Sequence, residues 1–146
     1  MRVLIGSDHA GFLMKEELLK FLRSLDSVSH VEEISMSASS PDHSVDYPDV
    51  AAELCKRILD ENDTRGVLVC GTGVGISIAA NKFPGIRCAL VHDAYTARMA
   101  RRHNNANVIA FGGRVIGTEV AKDALGIFLH ETFEGGRHSK RIDKIT

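Results

Sequence analysis

Five short apolar runs alternate along this chain with longer segments of helical period, and no other feature limits its fold as much. The runs are Val3 to Gly6, Val31 to Ile34, Gly66 to Cys70, Arg87 to Val91 and Val108 to Phe111. Between them, Phe12 to Leu25 sets Leu18, Leu19, Leu22 and Leu25 at helical spacing, and Val50 to Leu59 does the same with Val50, Ala51, Leu54 and Ile58. Gly75 to Lys82, Ala94 to His103 and Thr118 to Phe133 complete five helices. A strand and a helix repeated in this way are joined by crossovers, which make strands parallel and cover the sheet. The expected fold is α/β, a doubly wound (Rossmann-like) five-stranded parallel sheet with helices on both faces.

The chain has 146 residues, a length suited to one domain with its own core, so residues 1–146 are read as a single domain. A formal net charge of -1 supplies no general attraction to nucleic acid or to an anionic membrane, so neither is expected as a partner. Three cysteines, Cys55, Cys70 and Cys88, match neither a disulfide framework nor a zinc ribbon and point to a reducing compartment. The opening MRVLIGSDHAG is too short in apolar residues for a signal peptide or a membrane span, which favours a cytoplasmic protein.

Two stretches break the alternation. Ser35 to Pro48, rich in Ser, Asp and Pro, reads as a long loop before a helix with Pro48 in its first turn, and long loops there tend to be lids or walls. Residues 135–146 form a basic arm, beginning with a glycine pair that is expected to end the last helix.

In a doubly wound sheet, ligands bind outside the carboxyl ends of the strands. The residues following those ends are Asp8 and His9, then Cys70-Gly71-Thr72-Gly73, then His92 and Asp93, then Gly112-Gly113-Arg114. The sharpest element is CGTGVGISIAANK, Cys70 to Lys82. Gly71, Gly73 and Gly75 allow close backbone approach, and the following helix aims unpaired N–H groups at an anion or a developing oxyanion. The same glycines would also serve a plain tight turn. Ile76 stands where a dinucleotide fingerprint needs glycine, and the Walker ending is missing, so a nucleotide is disfavoured. Cys70 at a helix N-terminus is placed to be a base or a nucleophile, against the bland reading of a small buried hydrophobe. His9 and His103 are candidates for proton transfer. No metal-ligand spacing is present, so no metal is expected. Arg137 and Arg141, four apart, share a face if the arm is helical and suit the oxygens of a phosphate.

Taken together, GSDHAG (Gly6 to Gly11), DYP (Asp46 to Pro48), CGTGVGISIAANK, RHNNANVIAFGGR (Arg102 to Arg114) and EGGRHSKR (Glu134 to Arg141) closely resemble the ribose-5-phosphate isomerase B and galactose-6-phosphate isomerase family, in family order along almost the whole chain. The resemblance implies interconversion of ribose 5-phosphate and ribulose 5-phosphate with no cofactor, in a homodimer, or a tetramer built from it, whose active sites lie at the subunit interface. By the same resemblance Cys70 is the base and Thr72 shuttles protons between sugar oxygens. The N–H groups of Gly71 to Gly75 cradle the enediolate, and His103 with Asp8 opens the furanose ring. His9, Arg114, Arg137 and Arg141 match the phosphate-binding set, and Tyr47 and Asn104 match sugar contacts. His103, Asn104 and Arg114 would come from the partner subunit.

The loop from Ser35 to DYP is longer and richer in serine than the family's usual one, which bears on sugar selectivity. Three rival readings stand beside the main one: an isomerase of a six-carbon phosphate, such as allose or galactose 6-phosphate, a non-catalytic sugar-phosphate sensor, and a dinucleotide-binding module.

Overall fold

The computed structural model describes residues 1–145. Its five strands are β1 (Arg2–Ser7), β2 (His30–Glu33), β3 (Thr64–Cys70), β4 (Cys88–Leu90) and β5 (Val108–Gly112). They pair in the order β2-β1-β3-β5-β4, every pair parallel. The helices are α1 (Phe12–Arg23), α2 (Tyr47–Asp60), α3 (Val74–Ala80), α4 (Ala94–Arg102), α5 (Thr118–His130) and α6 (Arg137–Ile142).

Side chains alternate across a strand, and the core is split accordingly. Val3, Ile5, Val67, Val69, Ile109 and Phe111 face α1, α4 and α5, whereas Leu4, Leu68, Cys70, Val108 and Ala110 face α2 and α3. Burying a Leu, Ile or Phe side chain in this way contributes roughly 1.5–3 kcal/mol each. Near-continuous apolar strands such as VLVC are therefore what a sheet covered on both faces demands.

The chain leaves β1 toward one side of the sheet and β3 toward the other. The switch point thus lies between these two strands, where a doubly wound fold opens its crevice. Asp8 and His9 follow one of them and the Cys70 loop follows the other.

All five expected strands and five expected helices are present, but the last helix ends earlier than its glycine pair. Glu131 is already extended, at φ -72° and ψ 146°, and its carboxylate is taken by Arg98 at 3.0 Å and Arg102 at 3.8 Å. Gly135 and Gly136, at φ 67° and 57°, instead turn the chain into α6. The arm is helical and packed through His138, which is 5% exposed. Thr146 lies outside the described residues.

Candidate active site

Residues at the crevice are fixed from several directions. Asp8 is bound to β3 by its N–H, which donates to the Val69 carbonyl at 3.2 Å, and its Oδ1 accepts from Gly11 N at 2.9 Å, capping a single 3-10 turn. His9 sits in that turn with a buried Nδ1 that has no hydrogen-bond partner among the described residues. A buried ring nitrogen of this kind is a natural contact for a ligand oxygen.

The glycine loop is folded around the thiol. Gly73 takes φ 77°, a conformation open to glycine and costly for other residues, and this aims its N–H at Cys70 Sγ at 3.1 Å. That bond is strongest when the sulfur carries negative charge. Thr72 is exposed, and its Oγ1 accepts from Val74 N at 3.2 Å. Gly75 is where Tyr47 closes over the loop: a Cβ on residue 75 would lie 2.7 Å from the tyrosine Cζ. Arg114 joins the same edge, its N–H donating to the Gly71 carbonyl at 2.9 Å and its guanidinium lying beside Gly71. The carboxyl edge thus collects Asp8, His9, Tyr47, the Cys70–Gly75 loop and Arg114. This corrects the expectation that Arg114 arrives with His103 and Asn104 from a second subunit, because Arg114 borders the thiol loop of its own chain.

His103 and Asn104 lie at the other edge. Helix α4 starts after the carboxyl end of β4 and runs back, so its C-terminus meets the start of β5 at Val108. At about 3.3 Å per residue, the five residues of β5 put roughly 15 Å between that edge and the Cys70 loop. The arm joins His103 there: the His103 and His138 rings stack at 4.1 Å and 10°, and Glu134 Oε2 lies 3.7 Å from His103 Nε2 and 3.5 Å from His138 Nε2. Arg137 and Arg141, both exposed on α6, belong to this second group.

His103, Glu134 and His138 bring three metal-type donors within 4.8 Å. The surroundings suit a proton better than a cation. Arg102 Nε is 2.6 Å from Glu134 Oε1 and Arg137 Nε is 3.5 Å from His138 Nε2, while stacked rings run their lone pairs side by side. Burial, then the neighbouring His103 and Arg137, lower the His138 pKa below the usual histidine value and favour its neutral form.

Glu134, and His138 as a stacking partner rather than a free basic residue, were not legible in the sequence, since their contact with His103 spans more than 30 positions and leaves no local signature. Lys15 was missed as well. It is 1% exposed, pairs with Glu33 and Glu16, donates to the Ala38 carbonyl at 3.2 Å and lies 4.6 Å over the Phe12 ring. The loop it holds continues the pairing of β1, with Ala38 N donating to Ser7 O at 2.8 Å and Ser37 Oγ accepting from Ser7 N at 3.1 Å. The Ser-rich stretch is therefore stitched to the residue before Asp8 as a wall of the crevice.

Comparison with known proteins gives the class to which a chain of this fold belongs, an aldose-ketose isomerase of phosphorylated sugars. A family model described as Ribose/Galactose Isomerase matches residues 3–145, and the chain belongs to that family. It is 40% identical over 145 residues to ribose-5-phosphate isomerase B of Escherichia coli, covering 99% of this chain and 94% of the relative. It is 41% identical to D-erythrulose-4-phosphate isomerase of Pectobacterium atrosepticum, covering 99% and 93%. The structure of ribose-5-phosphate isomerase B from Clostridium thermocellum superposes with a TM-score of 0.92 at 44% identity, covering 99% of this chain and 95% of that one.

Proposed function

We propose that the chain interconverts ribose 5-phosphate and ribulose 5-phosphate, with Cys70 as the proton carrier. The observation that carries this reading is the buried Cys70 thiol held under the Gly73 N–H at the foot of an open, glycine-lined loop. A proton next to a carbonyl is a weak acid, so its removal needs a poised base and donors aimed where the oxyanion develops. In the open aldehyde, the Cys70 thiolate takes the proton from the second carbon and charge passes to the first oxygen as an enediolate. Thr72 relays the hydroxyl proton from the second oxygen to the first, and the thiol returns its proton to the first carbon, leaving the ketone on the second. The Gly73 and Val74 N–H groups are already bonded within the loop, to Cys70 Sγ and Thr72 Oγ1, so the N–H groups of Gly71, Thr72 and Gly75 are the ones assigned to the developing charge. No cofactor enters this sequence of steps.

Ring opening is assigned to His103 and Asp8, and the phosphate to His9, Arg114, Arg137 and Arg141, with Tyr47 and Asn104 against the sugar. These groups divide between opposite sheet edges. That division supports a homodimer in which the thiol edge of one copy meets the His103 edge of the other. A groove of about 530 Å³ beside the free edge of β4, lined by Phe83, Leu90, Tyr95, Met99 and Asn104, offers an apolar seat for the second copy. Tyr95 in its lining is 67% exposed.

Ribose 5-phosphate in heavy water tests the chemistry. The wild-type protein should exchange the proton on the second carbon, and Cys70→Ala should lower turnover on the order of 10³-fold while phosphate-ester binding persists. Near-normal turnover by Cys70→Ala would remove Cys70 as the base, and no exchange by the wild type would favour a sensor. The relative that acts on a four-carbon phosphate supports a second reading in which sugar length is shorter. Comparing kcat/KM for ribose 5-phosphate, D-erythrulose 4-phosphate and allose 6-phosphate decides among them.

A further inference from the structure

The turn between α4 and β5, Asn104 to Asn107, is held by two arginines that have no part in the chemistry above. Arg87, half-buried at the foot of β4, donates from Nε to the Asn104 carbonyl at 3.0 Å and to the Asn105 carbonyl at 3.1 Å. Its own N–H donates to Asn107 Oδ1 at 2.8 Å, and Asn107 Nδ2 in turn donates to Gly85 O at 2.9 Å. From the other side Arg101, 5% exposed, donates from Nη1 to Asn105 Oδ1 at 3.1 Å and to the Ala106 carbonyl. Asn105 is held between them at φ 45°, in the left-handed region that asparagine adopts more readily than most residues with a side chain.

Neither guanidinium makes an ion pair among the described residues. Burial lowers the pKa of both, that of Arg101 to about 10, with Arg65 and Arg87 adding to the effect. Charge kept out of water without a counter-ion is destabilising, and a well-packed apolar side chain could fill the same space. What the arginines supply instead is direction: their side-chain hydrogen bonds end on Asn104, Asn105 and Ala106, the three residues that follow His103.

We propose that Arg87 is a positioning residue for ring opening, clamping the Asn104–Asn107 turn so that His103 and Asn104 are presented to the sugar at a fixed angle, with Arg101 as the buried second jaw. Arg87 touches no substrate and acts through the turn alone. This rests on the assignment of His103 to ring opening.

The two directions of the reaction separate the steps. Ribulose 5-phosphate is an open-chain ketose, because the oxygen that would close a five-membered ring on its second carbon carries the phosphate. Exchange of its first-carbon protons with heavy water therefore needs the Cys70 edge but no ring opening. Arg87→Met should lower kcat for ribose 5-phosphate on the order of 30-fold and leave this exchange, at saturating ribulose 5-phosphate, within about threefold of wild type. Arg87→Lys, which keeps the charge but loses the Nε–H shared by the Asn104 and Asn105 carbonyls, should show the same split at a smaller size, and it stands in if the methionine variant does not fold. A merely structural role would lower both rates together. Parallel loss of the two rates, or neither being affected, would overturn the proposal.

His103→Asn is the reference. If it shows the split while the Arg87 variants do not, the positioning role of Arg87 fails alone. If His103→Asn itself opens ribose 5-phosphate normally, the ring-opening assignment falls and this proposal with it.

Discussion

Cys55, Cys70 and Cys88 are chemically alike in sequence, and their surroundings separate them. Burial pushes the Cys55 thiol up to about 12 and raises Cys88 further, with Cys55 adding to the effect. Both sit within the apolar layer under α2 and α3. Cys70 is buried too, but among the described residues it is the one thiol with a backbone N–H on its sulfur, and it stands at the carboxyl end of β3 in the glycine loop. Iodoacetamide should consequently modify one thiol per folded chain, with activity lost in step and ribulose 5-phosphate protecting. Peptide mapping that found Cys55 or Cys88 labelled at the same rate would contradict this. At this scale most carboxyl-edge residues were readable, because Asp8, His9, Cys70 to Gly73 and Arg114 each lie within three positions of a strand end and the fold rule says what such positions do, whereas Tyr47 is far from any strand end and was named only by the family resemblance. Glu134, His138, Lys15 and Arg87 were not. Their roles depend on partners brought close by packing, and a lysine in a helical stripe looks solvated until the loop that covers it is known.

Strands and helices were more legible than the segments joining them. Period and apolar content locate an element, while its ends are decided by side chains from elsewhere. Glu131 stops α5 by turning to Arg98 and Arg102, which no local pattern announces. Between elements, one ion pair has a measurable signature. Arg57 on α2 donates to both carboxylate oxygens of Glu32 on β2, at 2.6 and 2.9 Å, and this pairing outweighs burial and holds the Glu32 pKa down at about 2. The folded value lies below the usual 4.5 of the unfolded chain, so the stabilisation is present in full above that pH and is lost as pH falls toward 2. Both side chains are partly exposed, which limits the contribution to about 1 kcal/mol or less. Glu32→Gln should therefore lower Tm slightly at pH 7 and by clearly less at pH 2.5. An equal deficit at both values would mean that the ion pair is not its source.

For the whole molecule, the family follows from five blocks in order, and a parallel sheet covered on both faces follows from the alternation of elements, while the strand order β2-β1-β3-β5-β4 came only with the structure. The division of the site between two edges was only half visible: chain direction puts His103 and Asn104 before β5 and the other groups after their strands, but joining the two sets in one site came from the family resemblance and not from spacing. If each site takes Cys70 from one copy and His103 from the other, two inactive variants can repair one another. Cys70→Ala and His103→Asn, unfolded together and refolded as an equal mixture, should recover about a quarter of wild-type activity, because about half of the dimers are mixed and each has one intact site of two. Recovery of nothing would place both groups in sites formed within one chain.

The length of β5 has a further consequence. With roughly 15 Å between the thiol loop and His103 along that strand, the proposed sharing of sites between two copies would leave a freshly made copy diluted among other proteins silent. Catalysis on that proposal begins with an encounter between copies and rises with the square of their number while they are scarce. A chain damaged at both edges does more harm than its own loss, since it spoils both sites of any intact copy that it captures.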